Sequence, residues 1–194
     1  IAGPTNCGKT LLSRRLVESH GFSRISGDAL VLAFQNSFPN LGIGHSVDGM
    51  SVEDAYASTC KGFGRFLVQF LNALAWENPM PYVVDTFHVR PLDLEGIDTS
   101  KTQVLFLGYP EANPGDKACE TQAYQNEAYG APHGWVRGDV TEVAARFLIF
   151  TQMSRDLQNE CAACGLTFVD TGSGFSDALL AAAALATSQE KAYD

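Results

Sequence analysis

Basic residues are scarce in this chain. Only 13 Lys and Arg stand against 22 Asp and Glu in 194 residues, a formal net charge of −9. Nucleic-acid backbones are held by clustered cations, so this balance argues against a nucleic-acid partner and makes each remaining cation more informative. No apolar run reaches the length of about eighteen residues that a membrane span needs, and no secretory leader opens the chain; neither feature points to a membrane. Cysteine is sparse, odd in number and scattered, at Cys7, Cys60, Cys119, Cys161 and Cys164. That usage fits free thiols in a reducing cytoplasm. Cys161-Ala162-Ala163-Cys164 has redox or metal spacing, but no second such pair completes a zinc set, and small residues lining a helix face are the simpler reading. Repeats, low-complexity tracts and linkers are absent. With 45% hydrophobic residues, 1–194 reads as one domain able to bury a substantial core, as a monomer or homodimer.

What is present stands out against that background. Gly3-Pro4-Thr5-Asn6-Cys7-Gly8-Lys9-Thr10 fits G-x-x-x-x-G-K-[ST], the phosphate-binding loop, at every defined position. Its two glycines let the backbone curl until successive N–H groups point into one concavity, which suits phosphate oxygens. Lys9 adds a mobile charge for the β- and γ-phosphates, and the Thr10 hydroxyl can take one position around Mg²⁺. Gly3, Asn6, Cys7, Gly8, Lys9, Thr10 and Leu11 are therefore the expected ATP contacts, with Lys9 also a catalytic candidate. A chance match is expected about once in a hundred chains of this length.

The surroundings agree with the motif. Leu12, Leu16 and Val17 recur at helical spacing before Gly21, so the loop opens a helix whose N-terminus faces the phosphates. A strand should precede the loop, yet only Ile1 and Ala2 do; a missing N-terminal segment is the expected explanation.

Further along, Phe22–Ser26 reads as a short strand, with Asp28 at its carboxyl end and a helix over Ala29–Ser37. Pro and Gly break regularity from Phe38 to His45. Ser51-Val52-Glu53-Asp54 resembles a capping box and begins a long amphipathic helix to about Trp76. Tyr82-Val83-Val84-Asp85 is a buried-type strand ending in a carboxylate placed to hold Mg²⁺ or its waters. Val104–Gly108 is a further strand, Tyr109–Gly138 a polar stretch suited to a mobile flap, Asp139–Gly165 a long helical region, Leu166–Asp170 a last strand and Phe175–Thr187 a last helix. The alternation predicts an α/β fold: three layers, α/β/α, around a five-stranded parallel sheet, with ligands at the carboxyl ends of the strands.

From this point the chain resembles the P-loop small-molecule and nucleoside monophosphate kinases, adenylate kinases in particular. His20–Asp28 is similar to a short strand leading to Ser-Thr-Gly-Asp, and Tyr82–Pro91 to an apolar strand followed by Asp-Gly-Phe-Pro-Arg. The resemblance implies that Asp85 supports the magnesium shell, that Arg90 contacts an acceptor phosphate or the transferring group, and that Gly172, in Thr171-Gly172-Ser173-Gly174, packs its backbone against adenine. Departures are visible. Thr86 and His88 replace the Gly and Pro after the Asp, and no arginine-rich lid is evident beyond Arg137, Arg146 and Arg155. A hydroxyl acceptor, as in shikimate, gluconate or antibiotic kinases, is thus as credible as a nucleotide.

The expectation is an ATP- and Mg²⁺-dependent phosphotransferase acting on a nucleotide or a small hydroxyl metabolite. Residues 30–76 would form an acceptor-binding insertion and 109–138 a lid. Asp28 is the candidate for orienting or deprotonating the acceptor, although it could instead fix a magnesium-bound water or cap the following helix; His45 and His88 fall on segments facing the cleft. The alternative is an ATP-hydrolysing or nucleotide-sensing protein without a small acceptor. Hydrolases often follow the strand-ending Asp with a Glu, and here Thr86 follows Asp85, which favours transfer.

Overall fold

A computed structural model describes residues 1–45, 49–50, 52–77 and 80–188. Six α-helices and four short strands follow one another among them: α1 Lys9–His20, β1 Ser23–Ser26, α2 Gly27–Ser37, α3 Val52–Glu77, β2 Tyr82–Asp85, β3 Leu105–Gly108, α4 Pro114–Tyr129, α5 Val140–Cys164, β4 Thr167–Asp170 and α6 Phe175–Thr187.

The expected five-stranded sheet is not formed. Mostly helical, the chain carries two separate two-stranded parallel sheets, β1–β2 and β3–β4, rather than a continuous sheet in three layers. Between them, Ala2 makes isolated parallel bridges to Thr86 and Phe106 and forms no strand. Its N–H donates to Leu105 O at 2.9 Å and its carbonyl accepts from Leu107 N at 2.8 Å, while Thr86 N donates to Ile1 O at 3.0 Å.

Local signals set the helix ends. α1 stops at Gly21, whose left-handed φ of 70° lets its N–H return to Leu16 O. Asp139 caps α5, its carboxylate accepting from Thr141 N at 2.8 Å and Glu142 N at 2.9 Å. The polar stretch after Tyr109, expected as a flap, carries a helix: Asn113 accepts from Gly115 N and Asp116 N, Pro114 takes the first helical position, and α4 ends at Tyr129 with Gly130 as its cap. Buried Ala118, Thr121 and Gln125 seat it, and it packs mainly against α5. The capping box expected at Ser51 lies outside the described residues, as does the centre of the Phe38–Gly49 loop.

Alternate strand residues enter different cores, as the pleat requires. Val83 and Leu107 join Leu12 and Leu16 of α1, Phe147 of α5 and Leu179 of α6. Val84 and Phe106 join Val31 of α2 and Phe63 and Leu67 of α3. Both pairs of strands are thus clamped between helices, and their carboxyl ends, followed by Thr86 and Tyr109, open toward the loop.

Candidate functional site

The loop is held from outside. Gly3 has φ 142° and Gly8 φ 96°, and Asn6 alone among the described non-glycine residues has positive φ, at 61°. A Cβ on Gly3 would lie 2.0 Å from Leu107 O, and one on Gly8 2.9 Å from Leu179 Cδ2. Neither position has room for a side chain. The Tyr109 hydroxyl donates to Thr5 O at 2.7 Å, and the Thr171 hydroxyl lies 3.1 Å from Cys7 O and 3.0 Å from Gly108 O. Cys7 faces inward, fully buried, and burial raises its thiol pKa above the usual value. Its side chain is therefore part of the core, and only its backbone faces a ligand.

The result is a concavity with one lysine in it. Lys9 is 9% exposed, and its ammonium donates to Pro4 O at 2.7 Å. Among the described residues no carboxylate pairs with it. A buried ammonium with spare donors and no counter-ion is costly unless an anion completes it.

Beyond the loop opens a cleft of about 990 Å³. Asn6, Lys9, Thr10, Asp28, Asp85 and Arg90 all line it, so most of the candidates are brought together. Leu11 instead packs toward the core. Gly172 lies outside the lining; its N–H donates to Asp170 Oδ1 at 2.7 Å. The β1–β2 register sets Asp85 against Ser26, and Ser26, not Asp28, caps α2 by accepting from Ala29 N. Asp28 is left free to face the cleft in the first turn of α2.

Asp85 is 5% exposed. Its Oδ2 accepts from Thr10 Oγ1 at 3.3 Å and from Arg24 Nη2 at 2.8 Å, while Oδ1 is buried with no partner. An orphaned carboxylate oxygen beside a hydroxyl is a donor set that fits Mg²⁺, which takes one or two protein oxygens and completes its shell with waters and phosphates. No group of three or more His, Cys, Asp or Glu side chains is arranged to hold a metal without such help among the described residues.

Asp28 accepts from Phe87 N at 3.1 Å and stands 3.4 Å from His88 Nδ1. Burial opposes its charge, yet the His88 ring and the Phe87 N–H together outweigh burial and hold its carboxyl below the usual value. His88 is buried and its ring meets that of His45 edge to face at 4.7 Å. Burial, then the neighbouring His88, pushes the His45 pKa down.

Several residues of the cleft were not singled out by the sequence. Arg24 pairs with Asp85, and Glu160 binds Arg90 through Nε at 3.1 and 3.3 Å and through Nη2. A charged residue inside the short strand Phe22–Ser26 was the one signal for Arg24; nothing in the local pattern marked Glu160. Aromatic rings form a further wall: Tyr56 lies 4.8 Å from Phe87, Phe87 6.3 Å from Phe150, and Phe150 5.7 Å from Trp135. Of the lid arginines, Arg146 lines the cleft, whereas Arg155 lies 3.7 Å from Glu111.

No protein-family model matches this chain, and no curated protein matches it significantly. Among the described residues, no helix is long and apolar enough to cross a membrane.

Proposed function

We propose that this protein is an ATP-dependent phosphotransferase that moves the γ-phosphate of ATP to an acceptor hydroxyl or phosphate held in the same cleft. One observation carries the reading. The nearly buried Lys9 ammonium, which no carboxylate pairs among the described residues, lies in a loop built around tightly packed Gly3 and Gly8 and opens on a cleft that also holds Asp85 and Asp28. The proposal rests on this local constellation and not on a continuous sheet.

Each residue then has a task. The loop N–H groups and Lys9 hold the phosphates of ATP and counter the charge that grows on their oxygens during transfer. The Thr10 hydroxyl and Asp85 would hold Mg²⁺, which when bound shields the β- and γ-phosphate charge. Asp28, ionised and exposed on the cleft, orients the acceptor and accepts its proton. The acceptor oxygen attacks the γ-phosphorus, the bond to the β–γ bridging oxygen breaks, and ADP leaves with that electron pair. Thr86 supports transfer over hydrolysis, because its hydroxyl accepts from His88 N at 3.1 Å and it offers no carboxylate to activate water.

Incubation with γ-labelled ATP, Mg²⁺ and a panel of nucleotides and hydroxyl metabolites tests this. Label moving to an acceptor is the expected result. Release as inorganic phosphate alone, at one rate with every acceptor, would favour the hydrolysing alternative, and absence of ATP binding by calorimetry would overturn both.

A further inference from the structure

We infer that the acceptor is an uncharged, hydroxyl-bearing compound with an apolar or aromatic body, and that Glu160 excludes phosphorylated acceptors by occupying Arg90. The inference rests on the phosphotransferase reading and narrows it. Among the described residues, four Lys and Arg side chains line the cleft, and three of them are already answered. Arg24 is paired with Asp85 at 2.8 Å. Arg146 donates to Arg137 O at 2.6 Å and Trp135 O at 3.1 Å, with Glu142 3.7 Å away. Arg90 is gripped by both carboxylate oxygens of Glu160. Only Lys9 is left without a carboxylate, and Lys9 belongs to the ATP phosphates.

A phosphate is recognised best by a guanidinium fork presenting two parallel N–H groups. Glu160 fills that fork. A phosphorylated acceptor would have to displace a half-buried carboxylate and leave it unpaired beside the incoming anion, which is costly on both counts. The rest of the wall suits a neutral ring. Trp135 and Ile149 line the cleft at 55% and 53% exposure, large apolar surface left open to solvent, with the Trp135 ring against Phe150. Apolar surface with a few placed polar groups is the usual make-up of a small-molecule pocket. Glu160 is thus a positioning residue for selectivity, acting through Arg90 and not on the reacting atoms.

The test uses matched pairs that differ only in one phosphate: uridine and uridine monophosphate, thymidine and thymidine monophosphate, an aryl glucoside and its 6-phosphate. Binding is read by calorimetry with a non-hydrolysable ATP analogue present. The parent is expected to bind no monophosphate more tightly than its neutral partner, and Glu160→Gln to gain at least tenfold for every monophosphate while its neutral partners stay within about twofold. Glu160→Asp should restore the parent preference, and Arg90→Ala added to Glu160→Gln should erase the gain. A parent that prefers the monophosphates, or a folded Glu160→Gln and Glu160→Ala that gain nothing for them, overturns the inference. Binding needs no turnover, so these results stand apart from the labelled-ATP experiment: failure to transfer phosphate would remove the enzyme reading and leave the Arg90 gate to be judged by itself.

Discussion

At the loop corner of the cleft the backbone holds the geometry, whereas along the opposite wall side chains hold it. Gly3 and Gly8 sit where a Cβ has no room, and the Tyr109 and Thr171 hydroxyls tie the intervening carbonyls down. The wall around Arg90, Glu160 and Trp135 is instead assembled from the segment after β2, α5 and the segment before α5, by one ion pair and edge-to-face rings. Backbone-built sites tolerate little change and serve one ligand class. Side-chain-built walls can be exchanged piece by piece, so chemistry common to many acceptors belongs at the corner and selectivity at the wall.

The sharpest way to break this contrast is a methyl group at the corner. Gly3→Ala must place a Cβ 2.0 Å from Leu107 O at φ 142°, which joins backbone strain to overpacking and should cost about 3 kcal/mol or more. Trp135→Ala, by contrast, removes a side chain that is 55% exposed and should cost less than about 1 kcal/mol. Chemical denaturation of both variants checks this, and equal losses would dissolve the distinction.

Next in size is a functional loss without a structural one. Lys9→Ala should weaken ATP binding about tenfold to a hundredfold, the worth of charge-assisted hydrogen bonds. Its melting temperature should stay the same or rise, because the variant removes a buried ammonium whose only oxygen partner is Pro4 O. ATP affinity equal to the parent would remove the loop from the site altogether.

The two carboxylates then separate corner from wall within one set of strand ends. Asp85→Asn should raise the Mg²⁺ concentration needed for half-maximal rate, since both Thr10 and Arg24 converge on its carboxylate. Asp28→Asn should lower turnover about a hundredfold with ATP affinity little changed, the pattern of a lost proton acceptor. Steady-state kinetics at several Mg²⁺ levels distinguishes them; identical profiles would mean that the two groups do one job.

The corner was legible in the sequence and the wall was not, for a physical reason. Loop, caps and helix stops are encoded within a few residues: Gly8 before α1, Asp139 before α5 and Gly165 after it fall where local chemistry places them. Asp28 and Asp85 were legible as strand-end carboxylates. The ion pairs of the cleft are not local. Arg24 meets Asp85 across 61 positions and Arg90 meets Glu160 across 70, and no periodicity records such a distance. The sheet failed for the same kind of reason: alternation predicted five strands in one sheet, whereas the described residues form four strands in two separate pairs, with Ala2 making only isolated bridges to Thr86 and Phe106. In the polar stretch after Tyr109 the helix α4 was not legible from composition, and its seat includes Lys117, 8% exposed, whose ammonium lies over the Tyr109 and Phe175 rings at 5.4 and 5.3 Å.

The smallest expected effect is a pH dependence that again divides the cleft. His45 has a folded pKa below its ordinary 6.5 because burial and His88 both disfavour its charge. The unfolded chain therefore takes up that proton first as the medium becomes acid, so stability is present above 6.5 and declines as pH falls from there to the folded value. Asp28 also has a folded pKa below its ordinary 3.8, with burial outweighed by His88 and the Phe87 N–H. Its contribution is complete above 3.8 and is lost as pH falls through the folded pKa. Both groups thus destabilise the fold toward acid, in two separate windows. His45→Asn should flatten the upper step and leave the lower one, and Asp28→Asn should do the reverse, with small amplitudes because both side chains keep contact with solvent, which screens their interactions. Urea denaturation at half-unit pH intervals from 7 to 3 reads both; a parent curve that is level between 6.5 and 5 would show that His45 titrates as it does in the unfolded chain and that the His45–His88 contact carries no electrostatic weight.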